Sequence, residues 1–391
     1  MRPSEAGARE AIALLALAAF NSGISLRCVE PMLPQLASDF DTSVSAASFI
    51  VTSFALAYAG AVLIQGPLGD RFGKLRVVTI GTALAGAASL AGAAAWDVSS
   101  LAGARFLMAM FASAPMALGM AYIGDVVAIE QRQATVARFV AGSIFGQTLG
   151  PLFGGVFADW AGWRSSFLVL GAVFILGAAV LYVRTRRGWP ALGPGRFSPL
   201  AIHASLLARP PVRWLLGIGV IETFCFFGAY VFLGAFFRVK FDLSFTVIGL
   251  LLAGYGIGGL IYSALVPWLL RRLRDRGLVA AGGLLGLVLF AATALAAEWV
   301  YTVPCIVGLG IAFYLVHNTV QTKATEVAPD ARASALALYA AAWALGQALG
   351  AAAGATAVSL IGYAPAIVAF GFGFAALGVW LRYNLWRLRP T

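Results

Sequence analysis

Residues 66–74 read Gly66-Pro67-Leu68-Gly69-Asp70-Arg71-Phe72-Gly73-Lys74. Three glycines, a proline and three ionised side chains in nine residues describe a tight turn in water, not a helix interior in lipid. Yet apolar runs flank the stretch at 46–65 and 77–95. Each is close to the roughly 20 helical residues that cross a hydrocarbon core of about 30 Å. A charged hairpin joining two membrane-length runs decides the fold, because a chain in lipid must satisfy its backbone internally.

Working outward, ten further runs of that kind lie near 11–35, 101–123, 136–157, 165–183, 214–237, 246–270, 278–297, 300–322, 334–358 and 364–381. The composition agrees: 61% of the 391 residues are hydrophobic and 11% charged, against about 45–50% and about 25% in soluble domains. A water-soluble enzyme and a disordered chain are both excluded. The first run follows Arg2 and Arg9 as a signal peptide would, but it stays apolar too long for one and is read as a helix. The expectation is an all-α membrane protein of twelve transmembrane helices.

With the N-terminus on the cytoplasmic side, 22 of the 27 Lys and Arg residues fall on that side, in the two tails and at 66–76, 124–138, 184–213, 271–276 and 323–332. Arg164, Arg238 and Lys240 fall on the other side, and Arg27 and Arg105 lie within helices. So one-sided a distribution sets both termini in the cytoplasm. It also reads the net charge of +11 as topology, not nucleic-acid affinity. Trp96, Trp163, Trp214, Trp268, Trp299 and Trp380 stand at expected helix ends, as an interfacial belt would.

The longest loop, 184–213, carries Pro190, Pro194, Pro199, Pro210 and Pro211 and no acidic residue. It divides the chain into a six-helix unit at 1–183 and another at 214–391. A shift of 200 residues tests the division. It lays Glu130 on Asp330, Arg132 on Arg332, Gly146-Gln147 on Gly346-Gln347, Gly154 on Gly354, and Pro67 with Arg71 on Pro267 with Arg271. Two parallel repeats, and hence two pseudo-symmetric bundles, are the pattern of a membrane transporter.

The loop at 66–74, with twelve helices and a six-plus-six repeat, closely resembles the signature loop of the major facilitator superfamily. It departs only where Leu75 stands before Arg76 in place of a second basic residue. The resemblance implies that Gly66, Asp70, Arg71, Gly73 and Lys74 form a cytoplasmic latch that holds and releases the two halves. The equivalent loop, Leu270-Arg271-Arg272-Leu273-Arg274, has lost the acid and the glycines. In the fifth run, Gly146-Gln147-Thr148-Leu149-Gly150-Pro151-Leu152-Phe153-Gly154-Gly155 resembles the motif of the superfamily's drug:proton antiporters. Gly142, Gly146, Gly150 and Gly154 also present a small-residue stripe, for which close helix packing is the plain alternative. Arg105 resembles the family's intramembrane arginine, although the usual Gln-Gly after it is Met108-Ala109.

Charges within membrane runs are functional candidates by default. Glu222 stands eight residues past Trp214, so about 12 Å deep at about 1.5 Å per residue. His317 stands six before Lys323, about 9 Å from the same edge. Helix 10 also carries Tyr314, Asn318 and Gln321, a polar stripe. Imidazole titrates near neutrality, so Glu222 is expected as proton carrier and His317 as its partner or a substrate ligand. A mutual structural hydrogen bond is the alternative. Arg27 and Glu30, three apart, fall near the outer boundary by counting from Ala11; a snorkelling pair and an anion-binding or outer-gate site both fit. Asn21 aligns with Glu222 in the repeat and is expected to line the cavity.

Nothing in the sequence calls for a cofactor or metal. Cys28, Cys225 and Cys305 have no ligand spacing. Gly254-Tyr-Gly256-Ile-Gly258-Gly259 lies in a helix with no strand before it, so it is no nucleotide loop. The expected activity is proton-coupled export of a small amphipathic or drug-like solute by alternating access, not enzyme chemistry. Two alternatives stand: import of an organic anion by symport or facilitation, and a transport-inactive receptor or assembly partner on the same fold. The expected partners are the solute, protons and the lipid bilayer, without nucleic acid. The chain is expected as a monomer in a bacterial cytoplasmic membrane.

Overall fold

A computed structural model describes residues 5–189, 199–328 and 331–388. Pro190 and Pro194 of the connecting loop, Asp330 of the repeat, and Arg2, Arg196 and Arg389 of the charge count lie outside the described residues. The described residues hold helices and turns and no strand. We number the membrane-length units α1 (Gly7–Asp39), α2 (Val44–Phe72), α3 (Lys74–Ala93), α4 (Val98–Val126), α5 (Glu130–Ala161) and α6 (Trp163–Gly188), then α7 (Pro210–Phe241). Phe245–Leu295 is continuous by hydrogen bonding but leaves helical geometry at Arg274 (φ 52). Its two arms, α8 (245–273) and α9 (275–295), fold back: Tyr262 and Leu278 share one apolar cluster with Leu315. Trp299–Glu326, Ser334–Ile361 and Tyr363–Leu388 complete the series as α10, α11 and α12. The eleven continuous units thus supply twelve crossings.

Two six-helix bundles result, and they obey one pairing rule. In the first, α1 packs on α5, α2 on α4 and α3 on α6; in the second, α7 packs on α11, α8 on α10 and α9 on α12. The bundles meet through α5 against α8 and α2 against α11, again a symmetric pair. Three hydrogen bonds tie that seam on the face away from the 66–74 loop. Ser45 Oγ donates to the Ala355 carbonyl at 3.0 Å, and Asp159 accepts from the Phe245 and Thr246 amides at 3.1 and 2.6 Å. We call this the distal face, and the one bearing the 66–74 loop the basic face.

Helices run past the apolar runs at both ends because they continue beyond hydrocarbon depth. Trp96 and Trp160 are 80% and 77% exposed, as an interfacial belt requires. Trp163 departs from the expectation: it is buried, donating its indole N–H to Asp39 and stacking edge-on against Phe40 and Phe167.

Candidate functional site

Glu222 is one of two carboxylates buried completely among the described residues. Its Oε1 lies 2.9 Å from His317 Nδ1, so α7 and α10 meet at the depth their sequence positions suggest. A third group, which the sequence pattern does not single out, completes the cluster. The Tyr339 hydroxyl of α11 stands 3.2 Å from His317 Nδ1 and 3.5 Å from Glu222 Oε2. Gly219, one turn before Glu222, makes room for it, since a Cβ there would come within 2.9 Å of the Tyr339 ring. The His317 ring lies between Phe313 and Tyr339, with centroids 5.0 and 5.9 Å away and both nearly parallel. The Glu222 side chain is 0% exposed and that of His317 11%. Histidine is thus the member of the pair within reach of anything outside it.

The rest of the helix 10 stripe turns elsewhere. Tyr314 stacks on Tyr255 and Tyr262 of α8, Asn318 lies beside Tyr262, and Gln321 is exposed. Tyr314 also meets the edge of the His317 ring at 6.3 Å.

The first bundle holds the other charge cluster. Arg27 Nη1 donates to Glu30 Oε1 at 2.8 Å, with both side chains almost wholly buried. The pair does not snorkel, since α1 continues beyond it to Asp39 and neither side chain reaches the surface. The Arg27 guanidinium sits 4.1 Å from the Phe227 ring centroid, reaching across to α7. Arg105 of α4 donates to the Ser25 carbonyl at 2.6 Å and lies over Phe54 at 3.9 Å, tying α4 to α1. Both arginines keep Nε and Nη2 without a hydrogen-bond partner among the described residues, and so does Glu30 Oε2. Phe227 and Phe313, 5.5 Å apart, separate this cluster from His317. Asn21 joins neither cluster; it faces α3 and α6.

The helix 5 motif faces two ways. Cβ atoms on Gly146 and Gly154 would come within about 2 Å of the Phe20 and Cys28 carbonyls, so the stripe holds α1 at backbone contact. Gly155 instead faces the Phe245 carbonyl, and the Pro151 carbonyl abuts Gly249, both across the seam on α8. Gly150 lies against Ile24 and Arg27, which fixes the backbone that carries the arginine.

At the basic face, Gly73 ends α2 at φ 89, a conformation that favours glycine. It swings Lys74 between Asp125 and Asp70, the latter at 3.4 Å. The Asp70 side chain is 73% exposed, Arg71 lies over Phe72, and Gly66 borders open space. The ion pairs of this loop therefore stay within the first bundle.

Comparison with known proteins gives a consistent answer. The sequence model of the Major Facilitator Superfamily matches residues 15–351. The chain is 25% identical over 299 residues to the efflux pump radE of Floropilus chiversii, covering 68% of this chain and 56% of that protein. It is 31% identical over 216 residues to citrate exporter 1 of Aspergillus niger (54% and 40%). It is 30% identical over 205 residues to the multidrug efflux pump LfrA of Mycolicibacterium smegmatis (52% and 40%). The matched region spans about half the length of these curated relatives. Among solved structures, an inward-facing, unoccupied bacterial homolog of the human lysosomal transporter Spinster superposes over the full length of both chains. Its TM-score is 0.79 at 17% identity, a likeness of fold.

Proposed function

This chain belongs to the Major Facilitator Superfamily, and from that premise we propose that it exports a small amphipathic solute in exchange for protons. The bundles 1–183 and 214–391 rock about the 184–213 connection, exposing the space between them to one face at a time. The basic face is cytoplasmic by its excess of Lys and Arg. The efflux relatives support the direction.

One observation carries the coupling: a fully buried Glu222 hydrogen-bonded to a slightly exposed His317. One proton between carboxylate and imidazole keeps the 2.9 Å bond in either position, while a second proton, or none, changes the charge of a site in lipid. That change biases one access state over the other, which is what coupling requires. His317 passes the proton, and Glu222 holds it out of reach of water.

Protein in liposomes with an imposed pH gradient tests this. Wild type should move solute against the proton flow, and Glu222→Gln should lose the response to the gradient. Full gradient-driven transport by Glu222→Gln would remove the pair from the mechanism; solute moving with the protons would make it a symporter.

A second reading concerns the charge of the solute. The partnerless N–H groups of Arg27 and Arg105 favour a carboxylate-bearing molecule, and one relative is a citrate exporter. Competition between a neutral drug-like amine and a tricarboxylate in the same liposomes separates the two.

A further inference from the structure

Away from both charge clusters, a cleft of about 220 Å³ opens between α1, α3 and α6. Leu14, Leu17, Val173, Leu176 and Val180 form its walls. Leu17, Leu176 and Val180 are 50%, 66% and 46% exposed, so the mouth faces hydrocarbon and not the space between the bundles. Among the described residues no ionised side chain lines it, yet its floor is polar, made by Asn21 and Thr82.

Thr82 is the anomaly. A threonine in a membrane helix ordinarily satisfies its hydroxyl on the carbonyl four residues back. Thr79 does so on Leu75 at 2.7 Å, and Thr148, Thr185, Thr293 and Thr319 follow the same rule. Thr82 is 0% exposed and its Oγ1 has no partner among the described residues. An unsatisfied hydroxyl beside an amide that is itself 3% exposed leaves polar capacity in a place where water is scarce.

We propose that this cleft binds a neutral lipophile of the bilayer carrying one hydroxyl or carbonyl oxygen. The oxygen meets Thr82 and Asn21, and the aliphatic body lies along Leu17, Val173 and Leu176. Depth sets the neutrality: Thr82 follows Lys74 by eight residues, about 12 Å below the basic face, too deep for a charged headgroup at low cost. The lateral mouth sets the source, since a ligand enters it from the membrane.

The test uses the full chain in lipid nanodiscs. The probes are a long-chain primary alcohol bearing an aliphatic diazirine and the diazirine alkane of equal length, with adducts mapped by mass spectrometry. The alcohol should label 14–21 and 173–181 about fivefold more than the alkane, the worth of one hydrogen bond. Thr82→Val should abolish that preference and Thr82→Ser keep it. No neighbouring helix comes within 4 Å of the place a Cβ on Gly177 would take, so a side chain can start there, and Gly177→Leu should fill the cleft and block both probes. Equal labelling by alcohol and alkane, a preference that survives Thr82→Val, or labelling that survives Gly177→Leu would each overturn the proposal.

Discussion

Each bundle buries one carboxylate completely, and the two are partnered in opposite ways. Glu30 is held by Arg27 at 2.8 Å, and Glu222 by His317 at 2.9 Å. The distances and the burial of the two carboxylates are nearly the same; the partner's chemistry and slight exposure are not. A guanidinium keeps its proton at any physiological pH, whereas an imidazole exchanges one near neutrality. On the proposed mechanism the first pair serves as structure, or as a fixed ligand for an anion. The second is the pair to which the proposed mechanism assigns proton exchange. On the proposed mechanism, two bundles of one architecture divide a static pair from a proton-exchanging one.

The most damaging change to this distinction is His317→Arg, which turns the second pair into a copy of the first. Burial and the ion pair are kept, but the exchangeable proton is gone. Gradient-driven transport should fall by at least about tenfold, as expected where an intramembrane relay group is lost, with the protein still folded. Wild-type coupling in that variant would mean that titration at 317 is irrelevant.

Stability should show the reverse asymmetry. Arg27→Leu leaves Glu30 buried without its counter-charge and should cost about 3–5 kcal/mol, while Arg27→Leu with Glu30→Leu recovers most of that. Thermal unfolding in detergent reads both. Glu222→Gln, which keeps a hydrogen-bonding side chain of similar shape, should cost no more than about 1.5 kcal/mol. If Glu222→Gln proves as destabilising as Arg27→Leu, the second pair is structural too.

How far the sequence could reveal these pairs follows from what each signal measures. Long apolar runs and a one-sided charge distribution describe lipid, and they found all twelve crossings, including the two merged through Arg274. Depth counting put Glu222 and His317 at similar levels from one membrane edge, and the family resemblance, which sets the seventh and tenth helices around one cavity, made them partners. Counting from Ala11 left snorkelling open for Arg27 and Glu30 beside a ligand role; burial removes snorkelling, because Phe227 of α7 lies against the guanidinium, a contact that no position along α1 reveals. Tyr339 left no trace: a tyrosine among alanines and leucines reads as packing or as an interfacial anchor. Its one usable clue is Gly219, which matters only once α7 and α11 are known to touch. The glycine stripe on α5 was legible as packing, but its division between α1 and α8 was not, since spacing does not name a partner.

Tyr339 allows a finer comparison, because among the described residues no hydroxyl hydrogen-bonds the side chains of Arg27 and Glu30. Its two hydrogen-bond distances, 3.2 and 3.5 Å, are long, so Tyr339→Phe should slow transport by no more than about fivefold. The midpoint of the transport–pH profile should move while coupling survives. Complete loss of coupling would place the hydroxyl in the proton path; an unmoved midpoint would reduce it to packing.

The smallest expected effect lies at the distal loops, where the bundles differ again. Asp97 accepts from the Ser100 amide at 2.7 Å and closes a capping box at the start of α4, whereas Glu298, in the corresponding loop before α10, makes no side-chain cap. Hydrogen bonds from the Ser100 backbone and then its side chain hold the Asp97 carboxyl below its ordinary 3.8. A carboxyl lowered by folding stabilises above its unfolded value and loses that contribution as pH falls through the lower folded one. Hydrogen exchange corrected for intrinsic rates should therefore show residues 98–102 loosening below about pH 4, with no matching change at 299–303. Asp97→Asn keeps a capping side chain and removes the titration, so its exchange in that segment should be flat with pH. Equal acid sensitivity in the two loops would mean that the cap does not set it.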